Sequence, residues 1–179
     1  MTEDKWIYIY NPYNKRYRYV LGTKGNNTLF CLGINPSTAE PNALDPTLKR
    51  VEGIASSMNY DSYIMLNVYP QRDANPDNLS QTQNRTEHRN NLRAIVTIIS
   101  QYLENHESID LWLAFGDHIY DRAYLPLCLK DIYKSLQNRK IRWFVTDTNK
   151  TGTPKHPLYE KKTSTLFGFD MASFIEKLM

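Results

Sequence analysis

Two short motifs in this chain carry side chains suited to chemistry. One is Asn35-Pro36-Ser37-Thr38-Ala39. The Asn35 amide both donates and accepts, so it can hold a water or read the edge of a base. The same amide, with the Ser37 and Thr38 hydroxyls, can equally satisfy the backbone of its own turn. The other motif is His156-Pro157, in a loop rich in turn formers and lysine. An imidazole there can donate to a developing oxyanion or act as acid or base. Asp45, before Pro46-Thr47, is a helix cap or a carboxylate base. Arg50, a turn further on, either points back toward a bound phosphate or lies on the helix surface. Asn35, His156 and Asp45 are the catalytic candidates.

These motifs need elements to hold them. Trp6 to Tyr10 and Arg16 to Leu21 read as a hairpin about Asn11-Pro12-Tyr13-Asn14. Buried strands are expected over Thr28 to Ile34, Ser62 to Val68, Ile109 to Phe115 and Ile141 to Val145. Helices are expected from Pro46 to about Met58, from Thr86 as cap to Leu103, and from Asp117 to Leu136 with a kink or division at Pro126. A last helix follows the cap Asp170. Residues 70–85 and 146–164 read as long loops, and loops of that length tend to be functional. Strands alternating with helices predict an α/β fold with a mainly parallel sheet covered on both faces. The expectation is one domain over residues 1–179, with a hairpin at 1–25 and an α/β core at 26–179.

Ligands of such sheets bind beyond the carboxyl ends of the strands. Four segments fall there. They are Gly33 to Ala39, Asn67 to Arg72, Gly116-Asp117-His118, and Gly152 to Tyr159. His88 and His106 read as structural, and His118 is a weaker candidate than His156. No His, Cys and carboxylate spacing resembles a zinc site. The phosphate-cradling, dinucleotide and esterase motifs are all missing. No metal or cofactor is therefore expected.

Composition bounds the class. The chain has 179 residues, a mean hydropathy of −0.59 and no apolar run of membrane-spanning length. Its start is acidic and leads into no apolar stretch, so no secretory signal is expected. Cys31 and Cys128 form neither a disulfide framework nor a metal pattern, and a reducing cytoplasm fits them best. The net charge of +3 is unevenly spread: residues 1–25 carry +3, residues 138–162 carry +5, and the remainder carries −5. The first segment also holds five of the 13 tyrosines. Basic residues interleaved with aromatics suit nucleic acid, and tyrosine also suits plain strands. The two segments make a phosphate-facing surface only if they meet in space.

Together these residues resemble a bacterial domain-of-unknown-function family, number sixteen-forty-three. The resemblance rests on Asn35 to Ala39, Asp45-Pro46-Thr47 with Arg50, Asn67 ending a strand, Arg72 with Pro76 and Leu79, Gly116 after an apolar strand, and Gly152-x-Pro154-x-His156-Pro157-Leu158-Tyr159. Three positions depart from the family pattern. Leu44-Asp45 keeps one carboxylate where an acidic pair is usual, Phe115 stands for Trp, and Val68-Tyr69-Pro70 stands for Leu-Phe-Ala. More distantly, Gly33-Ile34-Asn35-Pro36 and His156-Pro157 are similar to motifs of uracil-DNA glycosylases. That resemblance implies a three-layer α/β/α sandwich with both motifs on one cleft. It implies that Asn35 positions a water and that His156 donates to the departing base.

The expected site then includes Gly33, Pro36, Ser37, Thr38, Arg50, Asn67, Tyr69, Arg72, Phe115, Gly116, Lys155, Pro157 and Tyr159 around the catalytic three, with Tyr69 or Phe115 stacking on the base. Three functions stay open. They are N-glycosidic hydrolysis of a nucleobase substrate, a non-catalytic nucleic-acid or nucleotide-binding module, and a hydrolase or transferase on another small substrate.

Overall fold

The computed structural model describes residues 4–178. Its sheet has seven strands: β1 (Trp6–Tyr10), β2 (Arg18–Thr23), β3 (Thr28–Gly33), β4 (Ser62–Asn67), β5 (Ile109–Leu113), β6 (Ile141–Val145) and β7 (Phe167–Gly168). Four helices join them: α1 (Pro46–Ser57), α2 (Arg85–Leu103), α3 (Tyr124–Leu136) and α4 (Met171–Lys177). The strand order is β1-β2-β4-β3-β5-β6-β7. The four central strands β4-β3-β5-β6 are parallel, while β1, β2 and β7 pair antiparallel at the edges. The protein is thus α/β with a mixed sheet. The antiparallel edge strand β7 is an addition to the sequence expectation, because two residues are too few to leave a periodic signal.

Helix α1 starts as its sequence dictates. Pro46 occupies the first position, where its missing N–H costs nothing, and Asp45 accepts from the Leu48 N–H at 2.9 Å. Leu48, Val51, Ile54 and Ala55 are its buried residues, and each large one contributes about 1.5–3 kcal/mol by burial. They pack with Leu21, Leu29, Cys31, Tyr63, Met65 and Trp112 in one apolar cluster. The alternate residues Phe30, Leu32, Ile64, Leu66, Leu111 and Leu113 pack in a second cluster with side chains of α2, α3 and α4. The period of two along each strand divides the sheet between these clusters.

Two helix boundaries differ from the sequence reading. Asn84, not Thr86, caps α2 by accepting from the Glu87 N–H at 3.1 Å. The Glu87 carboxylate takes the Asn11 amide and the Tyr19 hydroxyl instead of turning back to the cap. The segment after β5 divides at residues 121–123, between a 3-10 turn (Asp117–Tyr120) and α3. Pro126 is the third residue of α3, where no intrahelical bond is lost and no kink is needed. The loop over 70–85 contains a short 3-10 turn at Pro76–Asn78.

The chain moves from β3 to β4 on one side, then crosses to β5 on the other. The strand order therefore reverses between β3 and β5, and a crevice opens beyond their carboxyl ends. No helix among the described residues is long and apolar enough to cross a membrane.

Candidate active site

A cleft of about 210 Å³ occupies that crevice. Its walls come from the turn after β3 (Gly33 to Ser37), Asn67 at the end of β4, His118 after β5, and His156 with Leu158 and Tyr159 after β6. Arg18, Asp45, Met65 and Asp73 also line it, with Thr47, Leu48, Ala74 and Pro76. All four loop segments expected from the sequence thus contribute. Asn35 and His156 share this cleft.

The Asn35 side chain satisfies the backbone of its own turn and of the loop beside it. Its amide nitrogen donates to the carbonyls of Pro36, Gln71 and Asp73 at 3.0–3.1 Å, pinning the loop over 71–73 to the turn. With the nitrogen fixed, the amide oxygen is fixed as well, as an acceptor on the cleft wall. Asp45 likewise holds its loop, accepting from the backbone N–H groups of Leu48 and Ala39. Arg72 clamps the same turn from outside. Its guanidinium donates to the carbonyls of Ser37, Thr38 and Ala39 at 3.0–3.2 Å and meets the Tyr8 hydroxyl and Glu40.

His156 caps a 3-10 turn (Pro157–Tyr159), its Nδ1 accepting from the Leu158 N–H at 3.2 Å. The neutral ring must then carry its proton on Nε2. Burial, with a smaller push from His118, lowers its pKa from the ordinary 6.5 to about 4. At neutral pH His156 is therefore an uncharged N–H donor. Its loop is tied down by Gly116, whose N–H donates to the Pro154 carbonyl at 2.9 Å. Gly116 sits at φ +66°, a conformation that favours glycine, with the His156 Cβ just 3.6 Å from where a side chain would begin. The Asp117 carboxylate takes the hydroxyls of Thr151 and Thr153, which fixes the loop further and holds the Asp117 carboxyl below its usual range.

Asn67 lines the cleft, 1% exposed, and neither its amide nitrogen nor its amide oxygen has a partner among the described residues. It pairs in register with Gly33 across the parallel ladder. A Cβ on Gly33 would stand 2.6 Å from the Met65 methyl and 3.0 Å from the Asn67 oxygen. Glycine at 33 is thus what leaves room for the Asn67 amide.

Several sequence candidates lie elsewhere. Tyr69 and Phe115 are fully buried and cannot stack on a ligand. The Tyr69 hydroxyl oxygen accepts from the Asn84 backbone N–H at 2.9 Å, and Phe115 packs on Phe174. They continue the alternation that serves the helix-covered core. The aromatic at the cleft is Tyr159, 80% exposed at the rim. Arg50 donates to the Glu160 carbonyl, joining α1 to the His156 loop. Lys155 is paired with Asp147 at 2.9 Å. Thr38 is exposed and Pro157 is buried, and neither lines the cleft. The strands of the two basic segments lie apart, β1 and β6 being separated by four strands, and the segments meet at the cleft through Arg18 and the loop that carries His156.

Arg18 enters the sequence reading only as one charge of a basic segment. The signal that marks it is a cation directly before the apolar run Tyr19 to Leu21. Asp73 gave no sequence signal, since its loop is polar throughout. A candidate metal-ligand cluster, Asp77, His118 and Asp121, brings its ligand atoms within 4.8 Å of one another. Its surroundings work against a cation, because the Arg122 guanidinium donates to the carbonyls of Asp77 and Asp121.

No curated protein matches this chain. A family model described as a protein of unknown function, DUF1643, matches residues 18–158. The chain belongs to that family.

Proposed function

We propose that the cleft binds a nucleobase and hydrolyses the N-glycosidic bond that carries it. The observation that supports this most directly is the pairing of an oriented amide oxygen, Asn35, with a neutral imidazole donor, His156, in one cleft. Asn35 holds the attacking water by accepting one of its hydrogens. Asp45 takes up the proton that the water loses as its oxygen bonds to the sugar carbon. The bond to the base nitrogen breaks, and the electron pair leaves with the base. His156 Nε2–H donates to the base oxygen on which that charge collects. The unpartnered Asn67 amide matches the mixed donor and acceptor edge of a base, and Tyr159 offers an exposed ring for stacking. A three-layer α/β/α sandwich of the uracil-DNA glycosylase type goes with this reading, as does a cytoplasmic setting for two unpaired buried cysteines.

The test is release of free base, measured by chromatography, from a panel of damaged single- and double-stranded DNA, RNA, nucleosides and nucleotides. Turnover that falls at least a hundredfold in both Asn35→Ala and His156→Ala supports the mechanism. Binding without turnover assigns a non-catalytic module instead. Neither binding nor turnover overturns the nucleobase reading.

A further inference from the structure

Arg18 stands out among the buried charges. The buried carboxylates of Asp45 and Glu87 each accept two hydrogen bonds. Arg72, the neighbouring guanidinium, spends its nitrogens on three carbonyls, a hydroxyl and Glu40. Arg18 is 1% exposed and lines the cleft, yet it makes one side-chain hydrogen bond, from Nη1 to the Ala39 carbonyl at 2.9 Å. Its Nε has no acceptor, and no carboxylate among the described residues lies within ion-pair distance. Asp45, on the same cleft wall, acts on Arg18 from beyond that distance; a buried guanidinium with no direct ion pair is still costly, and it does not escape the cost by losing its proton. A planar fork of N–H donors suits a phosphate or carboxylate.

We propose that Arg18 is the anion-binding residue of the cleft, and that the ligand is a free nucleoside monophosphate rather than a nucleic-acid polymer. The base part of this proposal rests on the function proposed above; the anion part stands on Arg18 alone. Polymer phosphates are bound by exposed cations spread along a surface. Here the cation is enclosed, so the anionic group must enter the cleft with the ligand. Two cations on the elements around the cleft are already engaged, Lys155 by Asp147 and Arg50 by the Glu160 carbonyl.

Calorimetric titration of the full chain tests this, with inorganic phosphate, the common nucleosides, their 5′- and 3′-monophosphates, and a 12-nucleotide single strand as probes. At least one monophosphate is expected to bind tenfold or more tightly than its nucleoside, with inorganic phosphate competing. Arg18→Gln and Arg18→Met are each expected to reduce that monophosphate to the affinity of the nucleoside. The wild-type comparisons decide the matter even if both variants fail to fold. Equal binding of nucleoside and monophosphate overturns the role of Arg18 and leaves the nucleobase reading intact. Tighter binding of the 12-nucleotide strand overturns the choice of a free nucleotide. Phosphate binding that depends on Arg18, with no base-bearing probe bound, keeps the anion site and overturns the nucleobase reading. No binding of any probe overturns both.

Discussion

Asn35 and His156 wall the same cleft from loops that follow different strands, β3 and β6. Their side chains reach it by different means. Asn35 is pinned through its amide nitrogen by three carbonyls, and His156 through Nδ1 by the Leu158 N–H. In each case the fold consumes one end of the side chain and leaves the other for a ligand.

Asn67 pairs two unmet hydrogen-bonding atoms with complete burial. Replacing such a group by an apolar one of similar size removes an unmet desolvation cost of about 1–3 kcal/mol. Asn67→Leu is therefore expected to raise the thermal midpoint while abolishing base release. A lower midpoint in a calorimetric scan contradicts this account of the site.

Gly33 tests the same part of the cleft from the other strand. In Gly33→Ala the new methyl meets the Met65 methyl at 2.6 Å and the Asn67 oxygen at 3.0 Å. Met65 ends in a flexible group and can move, but Asn67 must shift with it. The expected cost is about 1–3 kcal/mol in urea unfolding, with a larger fractional loss of ligand affinity than of stability.

His156 predicts an acid-labile limb. The unfolded chain protonates this ring near pH 6.5, the folded protein only near pH 4. Between those values the unfolded state binds more protons, so stability rises with pH. Acidification from pH 7 to pH 4 thus costs stability at this residue, and the loss levels off below pH 4. His156→Gln should flatten that limb in unfolding measured at pH 7, 5.5 and 4.5. An unchanged slope would place the titrating group elsewhere.

Arg72 holds the turn that carries Asn35 and Ser37. Arg72→Ala frees three carbonyls and is expected to cost about 3 kcal/mol, as lost charge-assisted bonds do. Arg72→Lys should recover little, because an ammonium cannot reproduce the planar fork. Both variants should also raise KM, which a purely structural residue far from the cleft would leave unchanged.

Cys31 and Cys128 are buried and unpaired. Burial raises both thiols, Cys128 to about 12, so neither forms thiolate at neutral pH. Native protein should leave a disulfide thiol reagent essentially unreacted over an hour, and denatured protein should react at both sites. Fast labelling of the native chain would contradict the packing around β3 and α3.

Much of the site's frame is local and therefore readable in the chain. The apolar runs of β3, β4, β5 and β6 announce buried parallel strands. The Asp45-Pro46 pair starts α1, and the turn formers after each strand mark the end of the sheet where ligands bind. These signals depend on neighbours a few residues away, through dihedral preference and side-chain period. Local signals did not distinguish Tyr69 and Phe115, which point into the helix-covered core, from Tyr159, which stands at the rim. They did not show that Arg18 is enclosed, that Asn67 lacks partners, or that the two basic segments meet at the cleft through Arg18 and the His156 loop. Those properties depend on which strands become neighbours, and the crossing from β4 to β5 sets that order. The sequence by itself determined the elements, the α1 cap and the candidate pair Asn35 and His156. The tertiary structure alone decided that this pair shares a cleft and that a buried, unpaired guanidinium lies in its wall, because burial and pairing arise only when distant segments pack together.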